Sequence, residues 1–354
     1  MACQGAGRRF AKEPDPLTEA LIDYGLFTAK TLTLLGLLGL VIVLLLRARH
    51  AGPQPGDGGR LEITNLDDRY EDMADALKRA TQPPKAYKRW AKAEHKARKA
   101  RAKADAAARP RLFVLDFHGD LLATEVSELR ESVSALLQEA RRDDEVLVRL
   151  DNAGGAVHEH GLAASQLLRI RARGIALTVA VDRVAASGGY LMACVADRIL
   201  AAPFAIVGSI GVLAQLPNFH RWLEHKGIDF ELHTAGEYKR TLTLFGENTD
   251  EGRAKLRQHL EETHQLFKGF IQEYRKGLDL EKVATGEYWY GEQALALGLV
   301  DELTTSDDYL LDARGRRELY RLRWQAKKRP WSRFLAGMRA LLGRTALAYE
   351  RLRA

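Results

Sequence analysis

The stretch IALTVAVDRVAASGGYLMACVADRILAAP, residues 175–203, holds a strand, a turn, a short helix and a second strand. Its first seven residues are apolar but for Thr178 and rich in β-branched side chains. That is the pattern of a short strand covered on both faces. A second apolar run, RILAAP at 198–203, reads as another strand. Between them the paired glycines Gly188 and Gly189 permit a sharp strand-to-helix turn and the close approach of a second backbone. Ser187 stands just before them, at the first turn of a helix whose leading N–H groups have no partner one turn earlier. A serine there suits an ordinary N-cap. It also suits a nucleophile whose reaction leaves an oxyanion, although a lone Ala-Ser-Gly-Gly is more often the cap. The stretch alone does not separate the two.

Outward from it, two further apolar runs read as strands, LFVLDF at 112–117 and EVLVRLD at 145–151. Residues 123–141 and 157–173 lie between these runs and carry apolar side chains at three- and four-residue steps, so both read as helices. Strands recurring about every thirty residues with a helix between them predict right-handed βαβ units and a mostly parallel sheet. Beyond residue 203 the expected strands are AIVGSIGVLAQ (205–215) and IDFELHT (228–234), with a helix over 218–226 between them. A long helix at 251–275 follows, then YWYGEQALALGLVDEL (288–303) as a helical turn leading to a last strand. Upstream, 61–80 reads as a short amphipathic helix. No internal repeat is visible, so the chain carries one α/β domain.

In open α/β sheets, chemistry collects at the carboxyl ends of strands. Two loops fit. LDNAGGAVHEHG, residues 150–161, is a strand, then Gly154–Gly155, then a helix, and such glycines expose backbone N–H groups as an oxyanion hole requires. The other carries Ser187. Facing each other across one cleft, the two loops lift Ser187 above an N-cap. A serine nucleophile needs a base. His158 and His160 suggest zinc, but two histidines two apart on a helix point away from each other and lack a third ligand nearby, so no metal is expected. His220 and His233 remain candidates for a Ser-His-Asp triad. The other candidate is Lys239 in TAGEYKRTLT, which serves as a base only when neutral.

The formal charge of +7 is local. Residues 85–109, KAYKRWAKAEHKARKARAKADAAAR, hold ten Lys or Arg against Glu94 and Asp105, and the remainder is close to neutral. The basic balance is therefore no argument for a nucleic-acid-binding core. The segment reads as a solvated helical spacer suited to acidic phospholipid. Cys3 and Cys194, the two cysteines, show no disulfide or metal spacing. Residues 24–46, YGLFTAKTLTLLGLLGLVIVLLL, would span about 34 Å as a helix, enough to cross a bilayer. Arginines follow them directly with no small-x-small cleavage pattern, so a retained anchor is expected. Residues 47–109 then form a linker and the basic spacer, 110–325 the catalytic domain, and 326–354 a basic amphipathic helix, which reads as an ordinary docking helix ahead of one that packs on a partner subunit or a membrane surface.

At this point the residues resemble a family. VDRVAASGGYLMACVADRI, APFAIVGSIGVLAQLPNF, ELHTAGEYKRTLT and YGEQALALGLVDE, together with the anchor's YGLFTAK, are similar to the single-domain inner-membrane branch of the signal peptide peptidase A family. The resemblance implies a crotonase-like/ClpP-like βαβ superhelix and a membrane-anchored serine endopeptidase with a serine–lysine dyad. On residue matching it implies Ser187 as nucleophile, Lys239 as general base and Ser209 as the hydroxyl orienting that base. It also implies Gly154 and Gly188 as oxyanion donors. No cofactor is implied, and the substrates would be signal-peptide remnants or unfolded or membrane-derived polypeptides. Homo-oligomeric rings are implied as well, with a periplasmic domain, although the basic spacer argues for the opposite side. Where relatives have Ser-Pro-Gly-Gly, this chain has NAGG at 152–155; the fixed φ of proline is lost and both glycines are kept. The rival readings are an acyl-CoA-handling enzyme on the same superhelix, which needs a carboxylate over the oxyanion hole, and a catalytically silent membrane scaffold.

Overall fold

The apolar runs form neighbouring parallel strands: β2 (Arg111–Gly119), β3 (Glu145–Asn152) and β4 (Ala176–Val181). The computed structural model describes residues 24–37, 39–40, 59–103, 109–236 and 238–326. The chain divides into two units, Met1–Asp57 and Gly58–Ala354. In the first, residues 24–37 are helical (α1), as are 39–40. The remainder of the expected 24–46 anchor lies outside the described residues, and among those described no helix is long and apolar enough to cross a membrane. The expected C-terminal helix lies outside them from residue 327 onward.

The second unit is mixed α/β, built on a large sheet. Its main path runs β1 (Arg60–Asn65), β10 (Glu318–Gln325), β2, β3, β4, β6 (Arg198–Ala201), β9 (Glu302–Leu303). A branch leaves β3 through β5 (Val184–Ala186) and β7 (Ile206–Gly208) to β8 (Tyr288–Tyr290). Among the described residues, only the pairings of β1 with β10 and of β8 with β7 are antiparallel.

Side chains alternate across each strand, so both faces need cover. Phe113, Leu115 and Phe117 of β2 join one core, beneath α4 (Val126–Glu139), α5 (Val157–Ala172), α6 (Gly188–Ala193) and α8 (Asp250–Tyr274). Leu112 and Val114 face the other way, against Leu66 of α2 (Leu66–Thr81) and Leu310 and Ala313 of α11 (Ser306–Ala313). Two-sided burial explains why these strands read as mostly apolar runs. The basic segment forms α3 (Pro84–Lys103), held to α2 by Lys78 over the Trp90 ring at 3.9 Å. The remaining helices are α7 (His220–His225), α9 (Leu280–Val283) and α10 (Gly291–Ala296).

Several expected elements differ. The helix read over 61–80 begins only at Leu66, because RLEITN is a strand paired with β10 and Asn65 caps the helix, accepting from the N–H groups of Asp67 and Asp68. The expected strand 228–234 is irregular chain. Its alternating Ile228, Phe230 and Leu232 find no strand partner, and a lone strand leaves its backbone groups unpaired. Phe230 instead meets Phe245, which also meets Phe219. The strand expected over 205–215 stops at Gly208. The helical turn expected over 288–303 opens with strand β8 before α10.

Candidate active site

β3, β5 and β7 lie side by side and parallel, so their carboxyl ends open onto one edge of the sheet. β3 leads into 153–156, β5 into Ser187, and β7 into Ser209. The two later loops are tied directly, since the Ser187 N–H donates to the Gly208 carbonyl at 2.7 Å. The first loop packs on the second. A Cβ added to Gly154 would lie 2.7 Å from the Ser187 Cβ and 2.8 Å from the Gly188 nitrogen, so only glycine fits, and its φ of +90° also requires one.

Among the described residues, three non-glycine residues have positive φ: Ala123, Ser187 and Ser209. Ser187 has φ 52° and ψ −118°. Backbone strain of this kind persists where surrounding structure imposes it, and two of the three cases are serines singled out from sequence. Ser187 is half-buried at the head of α6 and makes no capping hydrogen bond, which removes the plain N-cap reading. Gly188 is the first residue of that helix, so its N–H has no carbonyl one turn earlier. Ser209 is held by its N–H to the Glu287 carbonyl at 2.7 Å, and its hydroxyl makes only a long contact, 3.4 Å, to the Gly286 carbonyl.

Four of the five residues singled out for the site therefore converge: Gly154, Ser187, Gly188 and Ser209. Lys239 stands apart. It is exposed, on irregular chain after Gly236, and no hydrogen bond joins it to Ser187 or Ser209 among the described residues. The segment that carries it, 212–249, also exposes Leu213, Phe219, Trp222, Ile228, Phe230 and Tyr238. His220 and His233 lie on the same exposed segment, and His233 pairs with Glu231 at 3.1 Å. His158 points outward beside Glu159, whereas His160 is fully buried, so the two do not face one point. Cys194 is no rival nucleophile, because burial pushes its thiol up to about 12 and keeps it protonated at neutral pH.

Behind the glycines lies a polar pair whose role the sequence does not show, since His160 enters there only beside His158 as a zinc candidate and Asn152 only as a departure from Ser-Pro-Gly-Gly. Asn152 and His160 are both fully buried. The Asn152 Oδ1 accepts from the Gly154 N–H at 2.8 Å and lies 3.2 Å from the His160 Nε2. Its Nδ2 donates to the Met192 sulfur at 3.3 Å. The His160 Nδ1 lies 3.0 Å from the Ala156 carbonyl oxygen, and the ring backs directly onto Gly188, where an added Cβ would meet it at 2.5 Å. A signal existed: residues 160, 163, 164, 167 and 170 share the helical spacing of a buried face, so His160 belonged to the core stripe.

Comparison with known proteins follows this geometry. The model described as "Peptidase family S49 N-terminal" matches residues 19–167, and that described as "Peptidase family S49" matches 169–319. A Haemophilus influenzae protein named "Probable protease SohB" is 45% identical over 324 residues, covering 88% of this chain and 91% of the relative. A protein of the same name from Buchnera aphidicola (subsp. Acyrthosiphon pisum) is 54% identical over 237 residues, covering 67% of this chain and 70% of the relative. Among solved structures, a lysine-to-alanine mutant of the 1510-N membrane-bound stomatin-specific protease, in complex with a substrate peptide, matches at 14% identity and a TM-score of 0.41. That match covers 65% of this chain and 98% of the solved one.

Proposed function

From the premise that this chain belongs to peptidase family S49, we propose that it is a serine endopeptidase in which Ser187 attacks the scissile carbonyl and Lys239 takes its proton. The observation that carries the reading is the packing of Gly154 against Ser187, a non-glycine residue held at φ 52°. The reaction proceeds through an acyl-enzyme. Neutral Lys239 accepts the Ser187 Oγ proton as the Oγ–carbon bond forms, and the carbonyl electrons move onto oxygen. The N–H groups of Gly188 and Gly154 stabilise that oxyanion. The resulting ammonium returns its proton to the amine as the peptide C–N bond breaks, and water then releases the acyl group by the same steps. Ser209 orients the lysine. The scheme calls for no metal or cofactor.

Lys239 reaches the serine only when the exposed segment 212–249 is ordered against another surface, and we assign that surface to a second copy of the chain in a homo-oligomeric ring. Support comes from the apolar side chains this segment leaves in solvent. On this reading 24–46 is a single-pass anchor in a bacterial inner membrane, 47–109 a linker and basic spacer, 110–325 the peptidase domain, on the superhelix the family resemblance implies, and 326–354 an amphipathic helix. Substrates are signal-peptide remnants or unfolded or membrane-derived polypeptides. The test is hydrolysis of an unstructured protein such as casein by the detergent-extracted full chain. Ser187→Ala and Lys239→Ala should each remove nearly all of it, because the two act as one unit. More than a tenth of the activity left in either variant would contradict the dyad. Fractionation and a reporter fused after residue 46 test the anchor and its direction.

A further inference from the structure

The oxyanion hole just assigned needs two free N–H groups, and one of them is engaged. The Gly154 N–H donates to the Asn152 Oδ1 at 2.8 Å, a full-strength hydrogen bond. An N–H makes one strong bond at a time, so this one is not offered to an oxyanion beside Ser187. The assignment of oxygen rather than nitrogen to that position follows from chemistry, since an Nδ2 there would set donor against donor. The amide is not free to turn away casually. It is fully buried, its oxygen lies 3.2 Å from the His160 Nε2, and its nitrogen donates to the Met192 sulfur. A ring carrying its proton on Nε2 holds the same oxygen from a second side. The His160 ring is itself fixed by its burial and by its contact with Gly188. Gly119 completes the cage, because any Cβ there would collide with the Asn152 side chain.

Resting on the serine-peptidase reading, we propose that Asn152, held by His160, is a positioning residue that closes the oxyanion hole of the unliganded enzyme by keeping the Gly154 N–H for itself. Substrate opens the hole by drawing that N–H from the amide oxygen to the developing oxyanion. The Gly154–Gly155 pair gives the loop the backbone freedom for this small rotation. The hole thus assembles only in the transition state, with energy from a peptide's remote contacts that small adventitious esters lack, so Ser187 reacts poorly with such esters. The pair acts through Gly154 and touches no reacting atom.

The test is the rate at which Ser187 of the full detergent-extracted chain reacts with a small fluorophosphonate, whose phosphorylation uses the same hole without the help of a bound peptide. Asn152→Ala removes the competing acceptor and should raise that rate about fivefold, the worth of one ordinary hydrogen bond. Asn152→Asp keeps the shape and binds the N–H more strongly, so it should lower the rate about tenfold. In peptide hydrolysis the changes should fall on kcat with KM nearly constant, because the N–H meets the substrate oxygen only in the transition state. Thermal unfolding of both variants is followed alongside. If Asn152→Ala does not fold, the isosteric Asn152→Asp and its slower labelling decide the matter. A labelled parent protein with Asn152→Ala slower, or Asn152→Asp unchanged or faster, overturns the closed hole and leaves the peptidase standing. A parent in which Ser187 is not labelled and no peptide is cleaved overturns the serine-peptidase reading, and the closed hole with it.

Discussion

Ser187 carries a cost that its chemistry explains and its fold does not. A serine at φ 52° and ψ −118° stores on the order of 1–3 kcal/mol. Glycine adopts that conformation freely, so Ser187→Gly should abolish hydrolysis and raise thermal stability by about 1 kcal/mol, read from unfolding curves of the two proteins. Gly154 behaves oppositely. Its φ of +90° and the 2.7 Å approach to the Ser187 Cβ leave an added methyl no room. Gly154→Ala should lower kcat by about a hundredfold or more while the protein still folds, because the methyl pushes the loop and its N–H away from Ser187 and costs about what losing one oxyanion donor does. At this scale the sequence was legible wherever a residue type has few uses. Paired glycines after a strand and a serine beside them picked out two loops that the fold packs against each other. Asn152 was legible only as a departure from a motif, because nothing in its letter reveals that its amide oxygen faces inward onto Gly154. The place of Lys239 was not legible either, since it stands on exposed, irregular chain that no strand or helix pattern positions.

Elements were legible in proportion to how fully they are buried. β2, β3 and β4 are covered on both faces and announced themselves as apolar runs. β10 lies next to β2, and its ELYRLRWQ alternates as a half-covered strand does, but charged residues between the apolar ones hid it. Irregular 228–234 shows the converse failure, a strand-like pattern with no partner to pair it. The link between β2 and β3 also rests on electrostatics. Asp144, just before β3, accepts from the backbone N–H groups of Arg111 and Arg141 and from the Arg111 guanidinium at 2.6 Å. Burial alone would raise its pKa, but these hydrogen bonds outweigh burial and hold the carboxyl below its usual value. A depressed carboxyl stabilises the fold above its unfolded pKa, about 3.9, and loses that contribution as pH falls through the lower folded value. Asp144→Asn should therefore cost about 2 kcal/mol at pH 7, with the difference from the parent shrinking as the pH is taken below about 3.9. Denaturant unfolding of both proteins across pH 7 to 3 checks it.

For the whole molecule, the account joins a serine site built by one chain to a lysine borne on an exposed segment. Subunits with Ser187→Ala and Lys239→Ala should each be inactive, yet mixing them should restore part of the hydrolysis, because some interfaces then pair an intact serine with an intact lysine. Failure to complement after subunit exchange had been demonstrated would confine the base to the same chain or to another residue. Assembly is also where sequence reading reaches its end, since a strand's burial is written in its own letters and a neighbour's contribution is not. Most directly, the central claim is tested by mass spectrometry of the full chain after reaction with a fluorophosphonate. The account predicts a single adduct per chain, on the Ser187 peptide, absent from Ser187→Ala. An adduct on another residue, or one retained in Ser187→Ala, would contradict it.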